Sequence, residues 1–436
     1  MNEIHRVLLA EWLARGLPSV KPRRTRLETY ANLKVRKAIA VTGFRRVGKT
    51  FLILGLAERL LRGKNRKQVV YLNLEDERIP LTTEFLTDLL PAIKEYYGAT
   101  PQFLLLDEIQ NVPGWSKWAR RIHDSGETKL FLTGSSSKMS SKEIPTELRG
   151  RFLEVNLFPL SFREFLEFKG LSFDASLAGI SASDKAGLLN ALQEYVTHGG
   201  LPEIVLGGED KRGETINSYY QTVVRRDIIE RNKVKNEEAL KALLQLLLNS
   251  TQYSISKLYD TLKSAGHAVG KTTLQHYLSY IEGAYFAFPT RIFSYKAKDR
   301  LAHPRKIYFI DNSFINRFST KFSQNNGRLY ENLAAVKLKT RLGPTRELCY
   351  WKSNDAEVDF VVEDNGKAKQ LIQVCYDVSE PAAKKREARA LLQASKELEC
   401  NDLTVITKNF EKTEEFTWFK TTRTITYTPL WKWLLQ

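Results

Sequence analysis

Gly43-Phe44-Arg45-Arg46-Val47-Gly48-Lys49-Thr50 is a complete G-x-x-x-x-G-K-[ST] phosphate loop. The residue types follow from what such a loop holds. Its glycines let backbone N–H groups turn inward around phosphate oxygens, Lys49 reaches the β and γ oxygens, and the Thr50 hydroxyl ligates Mg²⁺. Arg45, Arg46, Val47 and Phe51 fill out the cradle. The flanks match. Lys37-Ala38-Ile39-Ala40-Val41-Thr42 reads as a buried parallel strand, and residues 51–61 carry apolar side chains at helical spacing. Strand, glycine loop and helix in that order make ATP or GTP the expected ligand.

A phosphate loop that hydrolyses its nucleotide needs an acidic partner at the end of a second strand. Phe103-Leu104-Leu105-Leu106-Asp107-Glu108 supplies it, an apolar run too short for a core helix and suited to a strand buried on both faces. Asp107 is expected to hold Mg²⁺ with Thr50, and Glu108 to orient the attacking water. Alone, an Asp-Glu pair at a strand end reads equally well as a helix cap or solvated turn; the loop upstream decides. Gln68-Val69-Val70-Tyr71-Leu72-Asn73-Leu74 is a further strand. Lys129-Leu130-Phe131-Leu132-Thr133-Gly134-Ser135 is another, closing on small polar residues where a hydroxyl could sense the γ-phosphate. Strands alternating with helices argue an α/β protein with a parallel, doubly wound sheet and nucleotide at the carboxyl ends of its strands.

These residues resemble the AAA+ class of P-loop ATPases. The resemblance implies ATP rather than GTP, with Ser135 or Ser136 as sensor. Leu148-Arg149-Gly150-Arg151 is similar to the Gly-Arg element of that class, which makes Arg149 or Arg151 a finger for transition-state charge, in cis or across a subunit boundary. The same arginines could equally cap a loop or pair with Glu147 and Glu154.

Composition bounds the rest. A chain of 436 residues has room for two to four domains, and 42% hydrophobic with 11% aromatic residues specifies packed cores rather than disorder. No apolar run reaches the length of a membrane span, and the first fifteen residues lack a signal pattern, so a cytoplasmic protein with no membrane partner is expected. Cys349, Cys375 and Cys400 have neither metal-ligand spacing nor a disulfide framework. The net charge of +17 points to a polyanionic partner, DNA above all, although such charge also serves solubility or acidic lipid.

The remaining segments suggest an order of domains: an ATPase core over 1–165, a helical lid over 166–236, a winged helix-turn-helix over 237–318 and a last domain over 319–436. Phe158-Pro159-Leu160-Ser161-Phe162-Arg163-Glu164-Phe165-Leu166 and His198-Gly199-Gly200-Leu201-Pro202-Glu203 fit the lid. Helical patterns from Glu238, Ser254 and Gly270, followed by a hairpin from Ala284 to Ser294, resemble a winged helix-turn-helix, with Lys257, Lys271, Thr272, Thr273 and Arg291 as DNA-binding candidates. Many AAA+ ATPases carry such a module for packing or protein contact instead. The tail resembles the PD-(D/E)xK endonuclease-like fold. Glu331 on a helix and Asp359 opening a strand match its metal ligands, but Gln373 stands where the second carboxylate belongs and Cys375 where the lysine belongs. A lysine such as Lys384 would have to migrate in. This reads as a degenerate nuclease site used for binding or assembly.

The order resembles an archaeal and bacterial family of AAA+ ATPases ending in such a domain. It implies ATP over GTP but no settled task. With the basic charge, the residues read as a Mg²⁺-dependent ATPase, in an oligomer of identical subunits, that couples hydrolysis to binding or remodelling of DNA, branched or duplex. A nucleotide-switched scaffold holding a protein partner is the alternative. An ATP-dependent nuclease is the weaker one.

Overall fold

The computed structural model describes residues 2–135, 139, 148, 150–171, 181–320, 326–343 and 345–436. The chain forms two compact units, one of Met1–Phe158 with Gly283–Tyr285, the other of Pro159–Glu282 with Phe286–Gln436. Among the described residues no helix is long and apolar enough to cross a membrane.

The first unit is built on five strands: β1 (Ala38–Gly43), β2 (Val69–Asn73), β3 (Phe103–Asp107), β4 (Lys129–Gly134) and β5 (Phe152–Leu157). They lie in the order β2-β3-β4-β1-β5, and every pairing is parallel. Parallel sheets need helical crossovers on both faces, so their central strands must be apolar at consecutive positions. β1 and β3 meet that demand, being buried at every residue. The helix Thr83–Tyr97 covers the sheet with Phe85, Leu86, Leu89 and Ile93; Thr82 caps it by accepting the Phe85 N–H. The N-terminal helix Glu3–Ala14 also belongs to this core. Trp12 donates its indole N–H to the Val69 carbonyl at 2.8 Å, and Tyr97 donates its hydroxyl to the Leu9 carbonyl at 2.8 Å.

In the second unit β6 (Gln252–Tyr253), β7 (Ala287–Ile292), β8 (Arg305–Phe309), β9 (Arg346–Lys352), β10 (Glu357–Asp364), β11 (Lys367–Val374), β12 (Leu403–Thr407), β13 (Lys412–Trp418) and β14 (Thr421–Pro429) make one sheet of nine strands. Its order is β13-β14-β12-β11-β10-β9-β7-β8-β6. Helices Glu237–Leu248, Ile255–Ser264 and Lys271–Gly283 precede β7, and Ser254 caps the second of them; the hairpin expected from Ala284 to Ser294 is instead this single strand, whose antiparallel partner β8 follows the helix Ala297–Ala302. β7 pairs with β8 on one edge and, in parallel, with β9 on the other, through Arg291↔Cys349 and Ile292↔Tyr350. The sheet therefore runs through the 318/319 boundary suggested above. The lid segment is joined to the tail in the same way. Leu160, Phe162, Phe165 and Leu192 share a buried cluster with Ala334, Phe360, Ile372 and Trp431. Composition changes along the chain mark none of this, because the strand pairing and the packed cluster both bring together segments far apart in sequence.

Candidate nucleotide site and a buried carboxylate cluster

The phosphate loop is anchored by its apolar members and left open by its glycines. Phe44 and Val47 are fully buried beneath it. Gly43 (φ 142°) ends β1 so close to β5 that a Cβ there would fall 2.2 Å from the Leu157 carbonyl oxygen. Gly48 (φ 94°) precedes the helix Lys49–Leu61 with no side chain capping it, so the first N–H groups of that helix point into the loop. Lys49 folds back over it. Its ammonium donates to the carbonyls of Gly43 and Phe44, each at 3.2 Å, and lies 3.8 Å from Glu108 Oε1. Arg45 reaches Glu75 at 3.7 Å, Arg46 takes a left-handed turn (φ 68°), and Phe51 is exposed at the first turn of the helix.

Asp107 is only 1% exposed at the end of β3, and its carboxylate is fully engaged. One oxygen accepts the Thr133 hydroxyl, the other the Tyr71 phenol at 3.1 Å, and Thr50 adds a third hydroxyl. Burial raises this carboxyl above the ordinary aspartate range, while the three hydroxyls work in the opposite direction. A buried anion beside the Thr50 hydroxyl, next to an open ring of N–H groups, fits the charge and hard oxygen ligands that Mg²⁺ bound to ATP phosphates requires. Glu108 occupies the left-handed region (φ 53°, ψ 46°). It is buried against its charge, yet Lys49, the Gln110 amide, Arg45 and the Ser135 N–H together hold it below the usual glutamate range. The Ser135 N–H donates to Glu108 Oε2 at 3.2 Å.

Three supporting residues were not singled out in the sequence: Tyr71, Thr133 and Gln110. Strand register was the signal for Thr133. Leu106 pairs with Leu132, which sets the next residues, Asp107 and Thr133, side by side.

Arg151 is a correction to the finger reading in cis. It immediately precedes β5, and its carbonyl accepts the Ala38 N–H at the start of β1, the sheet end opposite the phosphate loop. Six residues of strand at about 3.3 Å each put roughly 20 Å between them. There Arg151 grips Asp124 through Nε at 2.8 Å and Nη2 at 3.2 Å, which holds the Asp124 carboxyl well below its usual range. Arg149, Ser136 and Glu147 lie outside the described residues.

The second unit brings Glu331 (helix Asn326–Arg341), Asp359 (β10) and Gln373 (β11) together, and adds a lysine from β8. Lys306 Nζ lies 2.7 Å from Asp359 Oδ1 and 3.0 Å from both Glu331 and Glu357. Lys384 is elsewhere, paired with Glu414 and stacked on Phe410 and Tyr427. Cys375 turns its thiol to the Asp377 carbonyl. Among the DNA-binding candidates, Lys257, Lys271 and Thr272 are exposed at the starts of two helices and Thr273 is half-buried. Lys271 donates to Ser256 at 3.2 Å and stands over the Tyr259 ring. Arg291 is set apart from them, ion-paired with Glu347 at 2.5 Å and Glu363 at 3.6 Å on the sheet.

Fold and site together define a P-loop ATPase core of the AAA type. The family profile described as an AAA domain matches residues 35–166, and two profiles of domains of unknown function match 189–325 and 326–429. The uncharacterized protein MJ1544 of Methanocaldococcus jannaschii is 36% identical over 406 residues, covering 92% of this chain and 88% of its own. The chain belongs to the same family as that archaeal protein. An uncharacterized protein of Haemophilus influenzae is 27% identical, over 78% of this chain and 82% of its own. Among solved structures, the Walker-type ATPase PABY2304 of Pyrococcus abyssi is similar at 15% identity with a TM-score of 0.44, covering 69% of this chain and 98% of its own.

Proposed function

We propose that this chain is a Mg²⁺-dependent ATP hydrolase whose nucleotide state governs binding to, or remodelling of, DNA. The observation that carries the hydrolase reading is the convergence of Thr50, Asp107, Glu108 and Lys49 on one open phosphate loop. ATP entering the loop offers Lys49 phosphate oxygens in place of two backbone carbonyls, and this draws the ammonium toward the γ-phosphate. Thr50 and Asp107 would hold Mg²⁺, which would supply positive charge to offset that of the phosphates. Glu108, released from Lys49 but still steadied by Gln110 and Ser135, accepts a hydrogen bond from the attacking water.

The DNA reading is supported by the +17 charge and by the exposed lysines 257 and 271 at neighbouring helix starts. A protein-partnered switch is favoured by a different observation. The β7–β8 connection carries Tyr295, 63% exposed, and Leu301, 83% exposed, an apolar surface that phosphate contact does not require. Steady-state ATP hydrolysis with and without single-stranded, duplex and four-way branched DNA separates the two, with Lys49→Ala as blank. Stimulation by DNA that vanishes in the blank supports the DNA-coupled enzyme. Turnover indifferent to all three DNAs rejects it in favour of the switch.

A further inference from the structure

The nuclease-like reading of the tail implies a divalent cation among Glu331, Asp359 and Gln373, and the donor atoms there can be tested for one. A primary ammonium carries three N–H donors and no acceptor. Lys306 directs its three at three carboxylates, Asp359 at 2.7 Å and Glu331 and Glu357 at 3.0 Å each. It therefore sits where these oxygens converge. Other atoms of Asp359 and Gln373 that a metal would recruit are also engaged. Asp359 Oδ2 accepts the Val374 N–H at 2.9 Å, and Gln373 Oε1 accepts the Asp359 N–H at 3.0 Å. Gln373 Nε2 donates to Glu387 at 2.7 Å, while Glu331 also accepts the Tyr308 hydroxyl at 2.7 Å. Glu357 is held from its other side by Gln252 and Lys352.

A lysine that activates water or steadies a phosphate must present a donor to the cleft. The adjoining cleft, of about 380 Å³, is bordered by Glu357, Asp359, Gln373 and Arg386 but not by Lys306, which is 2% exposed. A counter-ion has the opposite requirement, to be buried, saturated and central. Three partly buried carboxylates gathered at one point repel one another and lose part of their hydration, a cost that a cation at their focus must offset. The fit is to an ammonium rather than to a divalent ion.

We infer that Lys306 is the resident cation of this cluster. It holds Glu331, Glu357 and Asp359 together in place of a divalent metal, and loss of its amine alone would turn the cluster into a metal site. This cluster is thereby metal-independent. This conclusion stands or falls separately from the ATPase reading, which concerns other residues.

Mn²⁺ binding to the nucleotide-free full chain, followed by electron paramagnetic resonance, tests it. Wild type and Asp359→Asn should bind Mn²⁺ identically, Lys306→Met should gain one further ion per chain, and Lys306→Met/Asp359→Asn should lose it again. The melting temperature of Lys306→Met should rise with Mn²⁺ where that of wild type does not. If Lys306→Met folds only when Mn²⁺ is added, that too supports the inference. Loss of a Mn²⁺ ion from wild type on Asp359→Asn alone would overturn it, and that comparison needs no Lys306 variant. A well-folded Lys306→Met that gains no ion would also overturn it.

Discussion

The Thr133 hydroxyl bridges the two acidic residues of the nucleotide site: it donates to the carboxylate of Asp107 and accepts the backbone N–H of Glu108 at 2.9 Å. One hydroxyl on the neighbouring strand thus sets both the Asp107 carboxylate, proposed to hold Mg²⁺, and the left-handed turn at Glu108, the residue proposed to orient water. Thr133→Val, which keeps the shape and removes the hydroxyl, should leave a buried N–H and a carboxylate oxygen without their partner. Groups that orient a metal ligand typically account for about 10- to 100-fold in activity. The expected outcome is a fall of that size in ATP turnover with the fold intact by circular dichroism, and recovery in Thr133→Ser. Unchanged turnover in the valine variant would remove Thr133 from the site.

Glu108→Gln should separate binding from hydrolysis. The amide preserves shape but cannot take a proton, so turnover should fall by about 10²- to 10⁴-fold while a fluorescent ATP analogue still binds. Lys49→Ala should lose both, because its ammonium is the buried cation that the loop folds around and that the proposed site turns toward phosphate. Equal loss of binding in the two variants would show that Glu108 acts through loop geometry alone.

The basic candidates should divide in two when DNA affinity is measured against salt. Lys257→Ala and Lys271→Ala, each removing an exposed charge, should lower the salt slope by about one apiece if they meet phosphate. Arg291→Ala should leave it unchanged, because that guanidinium is already paired with Glu347 and Glu363. A reduced slope only in the Arg291 variant would move the contact from the helix starts to the sheet.

Lys337 gives the second unit a pH dependence of defined sign. Burial, helped by Arg341 and Arg163, pushes its ammonium down to about 7 from an ordinary 10.5, while its amine donates to the Trp433 and Leu434 carbonyls. Between those two values the unfolded chain binds more protons than the folded one, so this residue adds stability as pH rises through that window. Urea midpoints measured at about pH 7.5 and about pH 9.5 should climb further for wild type than for Lys337→Met. Parallel changes in the two proteins would show that Lys337 is not the source.

Trp12 ties the N-terminal helix to the first sheet. It is 5% exposed and bonded to the Val69 carbonyl, so Trp12→Ala should destabilise that unit by about 3–5 kcal/mol, as large-to-small changes of buried aromatics do. Chemical denaturation followed through that unit reads the value, and a change below about 1 kcal/mol would mean the helix is an appendage rather than core.

The nucleotide core was legible from residues 37–50 and 103–108 because its signals are local. A phosphate loop must be contiguous for its N–H groups to converge, and a strand buried on both faces must be apolar along its length, so both are written as short runs. Glu331 and Asp359 were legible for a related reason, each announced by its place on a helix or strand. What surrounds them was not. Thr133 beside Asp107 is a matter of strand register, Arg151 beside Asp124 depends on which end of a parallel sheet a connection reaches, and the union of 237–318 with the tail rests on the β7–β9 pairing. Lys306 shows the difference most plainly. From the pattern alone the cluster lacked its lysine, and Lys384 was as good a guess as any. The amine comes instead from β8, separated from β10 in the sheet by two strands, β9 and β7, because three converging carboxylates need a charge at their focus and only the folded chain determines which lysine stands there.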